Sequence, residues 1–104
     1  MTWVKLDDGF FSHPKARAVG KDGRALFMAG LCYCAANNTD GLVTMSSLPL
    51  VAAVAEVRPG VSARLVDAGL WEPDPHGYLV HDYLKYNPSR AQVENERDKA
   101  RERM

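Results

Sequence analysis

The chain has 104 residues, of which 46% are apolar and 25% charged, with thirteen basic and thirteen acidic side chains. Those figures suit one soluble globular domain with a single core. No apolar run approaches the roughly 18 residues of a membrane span, and the zero formal charge weighs against a protein that neutralises many phosphates at once.

The opening Met1-Thr2-Trp3-Val4-Lys5-Leu6-Asp7-Asp8 lacks the basic-then-apolar layout of a signal peptide, so a cytosolic location is expected. Trp3 to Leu6 alternates apolar and polar residues, which predicts a short strand or arm that packs Trp3 and Leu6 inward. Ser12 is placed to cap a short helix with His13 and Pro14 in its first turn, Ala16 and Val19 inward, Lys15 and Arg17 outward, and Gly20 as its stop. Asp22 is placed to cap the next helix. Its run from Ala25 to Ala36 is apolar almost all round and predicts a central, buried helix, with Gly30 permitting a close helix crossing. Cys32 and Cys34 lie two apart on it, so they point apart, form no disulfide and read as core thiols.

Asn37 to Gly41 is a turn cluster, and Gly41 to Thr44 reads as a short strand. Ser46 or Ser47 then caps a helix through Ala55, with Pro49 tolerated in its first turn. Arg58-Pro59-Gly60 breaks that helix from the next, where Val61, Leu65 and Ala68 recur at helical spacing until Gly69 ends it. Leu70 to Glu72 and Tyr78 to His81 are strand-like, and Pro73-Asp74-Pro75-His76-Gly77 between them is turn chemistry, so a β-hairpin follows. The order strand, helix, turn, helix, hairpin is that of a winged helix-turn-helix. The segment Asp82 to Asn87 offers aromatic cover for one edge of the domain, and Pro88 biases Asn87 away from helix. Ser89 to Gln92 fits a capping box. The charged helix that follows has almost no apolar face, and Glu94 with Asp98 and Arg97 with Arg101 place like charges four apart. The chain therefore divides into a winged-helix domain with an N-terminal arm, 1–88, and a charged helix or tail, 89–104.

Charge is unevenly spread. Met1 to Asp40 carries five basic and four acidic residues, Gly41 to Pro88 three and five, and the rest five and four. In winged-helix DNA binders the second helix of the pair enters the major groove and the wing touches the backbone, which nominates Arg58, Ser62, Arg64 and His76. Asp67 on that helix opposes the assignment, and the plain alternative is a packed helix with Arg64 solvated. Lys15, Arg17, Lys21 and Arg24 form a denser basic cluster suited to phosphates or simply to solubility, and Arg90 is suited to follow DNA backbone. His13, His76, His81 and the cysteines lack zinc-ligand spacing, and no nucleophile, acid pair or phosphate loop accompanies them. No catalysis, metal, cofactor or small-molecule substrate is expected.

Trp3-Val4-Lys5-Leu6-Asp7-Asp8-Gly9-Phe10-Phe11 with His13-Pro14-Lys15, Gly69-Leu70-Trp71-Glu72, and His81-Asp82-Tyr83-Leu84-Lys85-Tyr86-Asn87-Pro88-Ser89-Arg90 carry a resemblance. Over nearly its whole length the chain resembles small winged-helix proteins of phages and prophages, particularly actinobacterial ones, which are similar to N-terminal domains of phage replication-initiation or replisome-organiser proteins. The resemblance implies a helix-rich α+β winged helix in the bacterial host cytoplasm, binding double-stranded DNA in replication or its regulation. Relatives often continue past the charged helix, so the chain is expected to be a short member or a domain of something longer. The competing expectation, which the charge balance favours, is a winged-helix interaction module that pairs with itself or a protein partner through the wing and the terminal helix.

Overall fold

Helix formation dominates, and a small sheet closes one side. In a computed structural model that describes residues 3–87 and 89–102, the elements are α1 (Pro14–Ala18), α2 (Gly20–Asn37), β1 (Leu42–Thr44), α3 (Leu48–Val54), α4 (Ser62–Asp67), β2 (Trp71–Asp74), β3 (Gly77–Val80), α5 (Tyr83–Tyr86) and α6 (Arg90–Glu102). Two 3-10 turns, Phe10–Ser12 and Pro59–Val61, precede α1 and α4. The three strands form an antiparallel sheet in the order β1-β3-β2. The protein is therefore α+β and helix-rich.

Helix α2 is the hub. Gly23, Leu26, Phe27, Gly30, Leu31 and Cys34 recur three or four residues apart and are its buried stripe. The helix is central as expected, yet not buried all round. Cys32, expected in the core, is exposed, because two residues along a helix turn a side chain through about 200°. Gly30 admits a strand residue rather than a helix: an added Cβ there would stand 2.7 Å from Cζ2 of Trp71, the largest fully buried side chain. Val51 and Ala52 of α3, Leu65 of α4, Val43 of β1 and Val80 of β3 pack into the same core.

The helix ends carry several corrections. His13, not Ser12, caps α1, its Nδ1 accepting from the Lys15 backbone N–H at 3.1 Å. Ala16 and Val19 are buried as expected. Helix α2 starts at Gly20, so Asp22 sits in its first turn and Val19 holds the cap. Ser47 is at the N-cap of α3 without bonding its amides; its hydroxyl accepts instead from Tyr33 Oη and Thr44 Oγ1, both at 2.8 Å. Gly69 does follow α4 in the left-handed conformation, at φ 78°.

The hairpin is tighter than its five turn-forming residues suggest. Asp74 pairs with Gly77, leaving only Pro75 and His76 between the strands, and Asp74 Oδ2 accepts from the His76 backbone N–H at 2.9 Å. Pro73 is tolerated because β2 is an edge strand. Gly77 is needed where β3 meets β1: at φ 155° its missing Cβ would stand 2.2 Å from the Val43 carbonyl oxygen.

The N-terminal arm forms no strand and runs in the opposite phase to the one expected. Trp3 and Leu6 are exposed, and Val4 packs on the core. The Lys5 backbone N–H, donating to Asn87 Oδ1 at 2.9 Å, fixes that phase. Phe10 supplies the buried ring instead, stacked on Phe27 with centroids 5.1 Å apart. After the hairpin comes α5, a helical turn where only edge cover was expected. Asn87 is extended; Pro88, the expected cause, lies outside the described residues. The capping box forms, with Ser89 N–H donating to Gln92 Oε1 at 2.8 Å and Gln92 N–H donating to Ser89 Oγ at 3.2 Å. Helix α6 buries none of its described residues.

Candidate nucleic-acid interface

The three-residue turn Pro59–Val61 runs directly into α4 and aims its exposed residues away from the core. Arg58 and Arg64 stand over a surface concavity of about 420 Å³, together with Val57, Val61, Asp22 and Glu56. Two guanidinium groups thus share the space with two carboxylates, one from the first turn of α2 and one two residues after the end of α3. Glu56 occupies the left-handed region at φ 60°. Sequence spacing does not anticipate those acids, because they reach the concavity from other elements.

Ser62 does not belong to this surface. It is 4% exposed, and its hydroxyl donates to Tyr78 Oη at 3.4 Å, tying α4 to β3. This corrects the expectation that it faces a ligand: it opens α4 on the side that packs against the hairpin. Leu65, three residues on, is fully buried on the same side.

The basic cluster near the N-terminus is split by its contacts. Lys15 reaches the far end of α4, where its Nζ would lie 3.6 Å from a Cβ placed on Gly69. Arg17 and Lys21 are exposed. Arg24 is half-buried and structural: its Nη1 donates to the Ala16 carbonyl at 2.9 Å, and its guanidinium lies 5.8 Å from the Phe11 ring centroid. Helix α4 therefore has Arg58 and Arg64 toward its start and Lys15 at its end.

His76 is exposed at the hairpin tip, and its carbonyl accepts from Met45 N–H at 2.9 Å. Arg90 sits elsewhere, at the start of α6. Its backbone N–H donates to Asp40 Oδ1 at 2.7 Å and its Nε to Glu94 Oε1 at 3.0 Å. Asp40 lies just beyond the C-terminus of α2, whereas Asp22, in the concavity under α4, lies in the first turn of that helix. Arg90 is thus separated from the α4 surface by the length of α2, about 27 Å for 18 residues.

Sequence reasoning missed a second groove, of about 410 Å³, lined by Lys5, Leu84, Lys85, Asn87, Gln92, Asn95, Glu96 and Lys99. No local signal points to it, because the contact that closes it, Lys5 to Asn87, spans 82 residues. Nor did the sequence foresee an apolar outer face on α3, a helix without a single charged residue. Leu50 is 64% exposed and Val54 72%, with Met45 exposed beside β1.

His81 bonds Glu72 Oε1 through Nδ1 and lies 3.3 Å from Asp82 Oδ2 through Nε2, an open surface cluster. Burial pushes the Cys34 thiol up to about 11, only partly opposed by a hydrogen bond with Thr39. Among the described residues no group of three or more His, Cys, Asp or Glu side chains is arranged to hold a metal ion. No protein-family model, curated protein or solved structure matches the chain.

Proposed function

We propose that this is a winged helix-turn-helix domain that binds double-stranded DNA through α4 and the hairpin, in phage DNA replication or its regulation. The observation that carries the reading is the succession α2, β1, α3, α4, β2, β3 with strand order β1-β3-β2, in which exposed Arg58, Arg64 and Lys15 lie on and around α4. In this arrangement the second helix of the pair meets the major groove, and the hairpin tip with His76 meets the backbone. Arg17 and Lys21 extend the cationic edge. The phage setting rests on the sequence resemblance.

The electrostatics limit the strength of this contact. Asp22 and Glu56 stand beside Arg58 and Arg64, so the surface offers few uncompensated charges and affinity is modest and salt-sensitive. Fluorescence anisotropy with a labelled duplex of random sequence, across a salt series, tests the reading. Three phosphate contacts give a log–log slope of about −3, and Arg64→Glu reduces both the affinity and the slope. Absence of binding at low salt, or indifference to Arg64→Glu, removes the assignment.

A second reading, protein contact, is favoured by one observation: the outer face of α3, with Leu50, Val54 and nearby Met45, is apolar and exposed. Self-association through that face shows as a concentration-dependent mass in light scattering that Val54→Asp returns to the monomer value.

A further inference from the structure

The groove between the N-terminal arm, α5 and α6 belongs to neither of those surfaces. It gathers Lys5, Lys85 and Lys99, from three segments remote in sequence, against one carboxylate, Glu96, with Gln92 and Asn95 between them. In a chain whose charges cancel overall, Lys5 and Lys99 alone outnumber that carboxylate. Its walls are tied down. Buried Asn87 accepts from Lys5 N–H at 2.9 Å and donates through Nδ2 to the Tyr83 carbonyl at 3.4 Å. On the other side, the bond from Arg90 N–H to Asp40 and the Ser89–Gln92 capping box fix the start of α6.

The arm adds an aromatic ring to these cations. Val4 packs toward the core, which leaves Trp3 and Lys5, on either side of it, facing solvent, with Trp3 81% exposed. Leu84, also exposed, lines the groove as its apolar wall. The groove, of about 410 Å³, has room for a group the size of a nucleotide. The groove's ammonium groups and an open indole two residues along the arm from Lys5 supply the two physical requirements for holding a single strand without reading its sequence: cations for the backbone and a ring on which a base can stack.

We propose that this groove is a binding site for single-stranded DNA, with the phosphates against Lys5 and Lys99 and a base stacked on Trp3. The site is independent of the α4 surface. Its α6 wall is anchored at Asp40, beyond the C-terminus of α2, while the concavity under α4 includes Asp22 in the first turn of α2.

The chain carries its own probe. It has two tryptophans, and Trp71 is 1% exposed, so quenching by an added strand reports Trp3. The full chain is titrated with oligothymidylate, with anisotropy of a labelled strand as a second readout. Saturable quenching is expected, with a log–log salt slope of about −0.7 per phosphate contacted. Lys99→Glu weakens binding about tenfold and lowers the slope. Trp3→Leu, read by anisotropy, weakens it roughly five- to hundredfold, and Glu96→Gln strengthens it. Arg64→Glu leaves it unchanged. Lys99 and Glu96 are exposed on a helix that buries none of its described residues, so these variants leave the core intact, which an unchanged Trp71 emission maximum verifies.

Absence of quenching at low salt overturns the proposal. So does an equal loss on Arg64→Glu and Lys99→Glu, or displacement of the strand by equimolar duplex. Failure of the duplex reading registers separately, as duplex binding that is absent or indifferent to Arg64→Glu while oligothymidylate still responds to Lys99→Glu.

Discussion

At the scale of single residues, the contact between Gly30 and Trp71 sets two opposing effects against each other. Alanine in a helix interior is favoured over glycine by up to about 1 kcal/mol. The added methyl would meet a ring carbon at 2.7 Å, and that ring cannot retreat, because Trp71 is held in β2 opposite Val80 and stacks on Tyr78 with centroids 5.5 Å apart. Overpacking of this kind costs about 1–3 kcal/mol, so the clash wins. Gly30→Ala should lower the thermal midpoint by several degrees, at roughly 4–8 °C per kcal/mol for a domain of this size, as followed by circular dichroism.

The buried thiol gives a pH dependence whose sign is fixed by its environment. Cys34 is fully buried, and loss of water around the thiolate pushes its pKa up to about 11 from an ordinary value near 9.0. Tyr83 is displaced upward too, first by burial and then by the charges of Cys34 and Asp40. Below about pH 9 both groups hold their protons in the folded and unfolded chain alike. Above it the unfolded chain loses protons that the fold retains, so stability falls with rising pH. The thermal midpoint should stay level from pH 7 to about 9 and then decline toward 11. Cys34→Ala should flatten the decline even though its midpoint at pH 7 is lower. A decline as steep as that of the parent chain would assign it to other groups.

At the scale of elements, what could be read from the sequence was what local chemistry decides. The hairpin, the strand at Leu42–Thr44, the left-handed glycine after α4 and the Ser89 capping box each depend on residues a few positions apart, and each formed. Three errors share a cause of the opposite kind. The arm reversed its phase because Asn87, 82 residues away, binds the Lys5 amide. Ser47 left its capping role because Tyr33 and Thr44 compete for its hydroxyl. Ser62 turned inward to reach Tyr78. The candidate interface was legible as a list of cations, but its acids and its division into two surfaces depend on which distant elements meet.

Helix α6 is the element for which local signals suffice, because little else supports it. Its start is capped, and two ion pairs, Arg90–Glu94 and Asp98–Arg101, lie along it, both exposed. Such pairs contribute a few tenths of a kcal/mol each, and a lone helix of thirteen residues is marginal in water. Removing residues 90–104 should therefore shift the thermal midpoint by no more than about 5 °C. In hydrogen exchange the α6 amides should exchange long before those of α2. A large loss of stability on truncation would mean that the helix packs against something in solution.

At the scale of the whole molecule, equal numbers of acids and bases become informative only once the fold sorts them. The α4 concavity holds Arg58 and Arg64 with Asp22 and Glu56, a balanced set, while in the α5–α6 groove Lys5 and Lys99 outnumber Glu96. If α4 meets duplex DNA, Asp22 and Glu56 oppose it, and their removal acts in the direction opposite to most surface substitutions. Asp22→Asn with Glu56→Gln should raise duplex affinity about tenfold at low salt, because two carboxylates that repel the phosphates are removed from the surface. Asp22 also favours the positive end of α2, so the same change costs about 0.3–1 kcal/mol of stability. Tighter binding by a less stable protein would separate electrostatics at the interface from any general effect on the fold. Unchanged duplex affinity would place the double helix elsewhere on the molecule and leave α4 as a packed helix whose charges only solvate it.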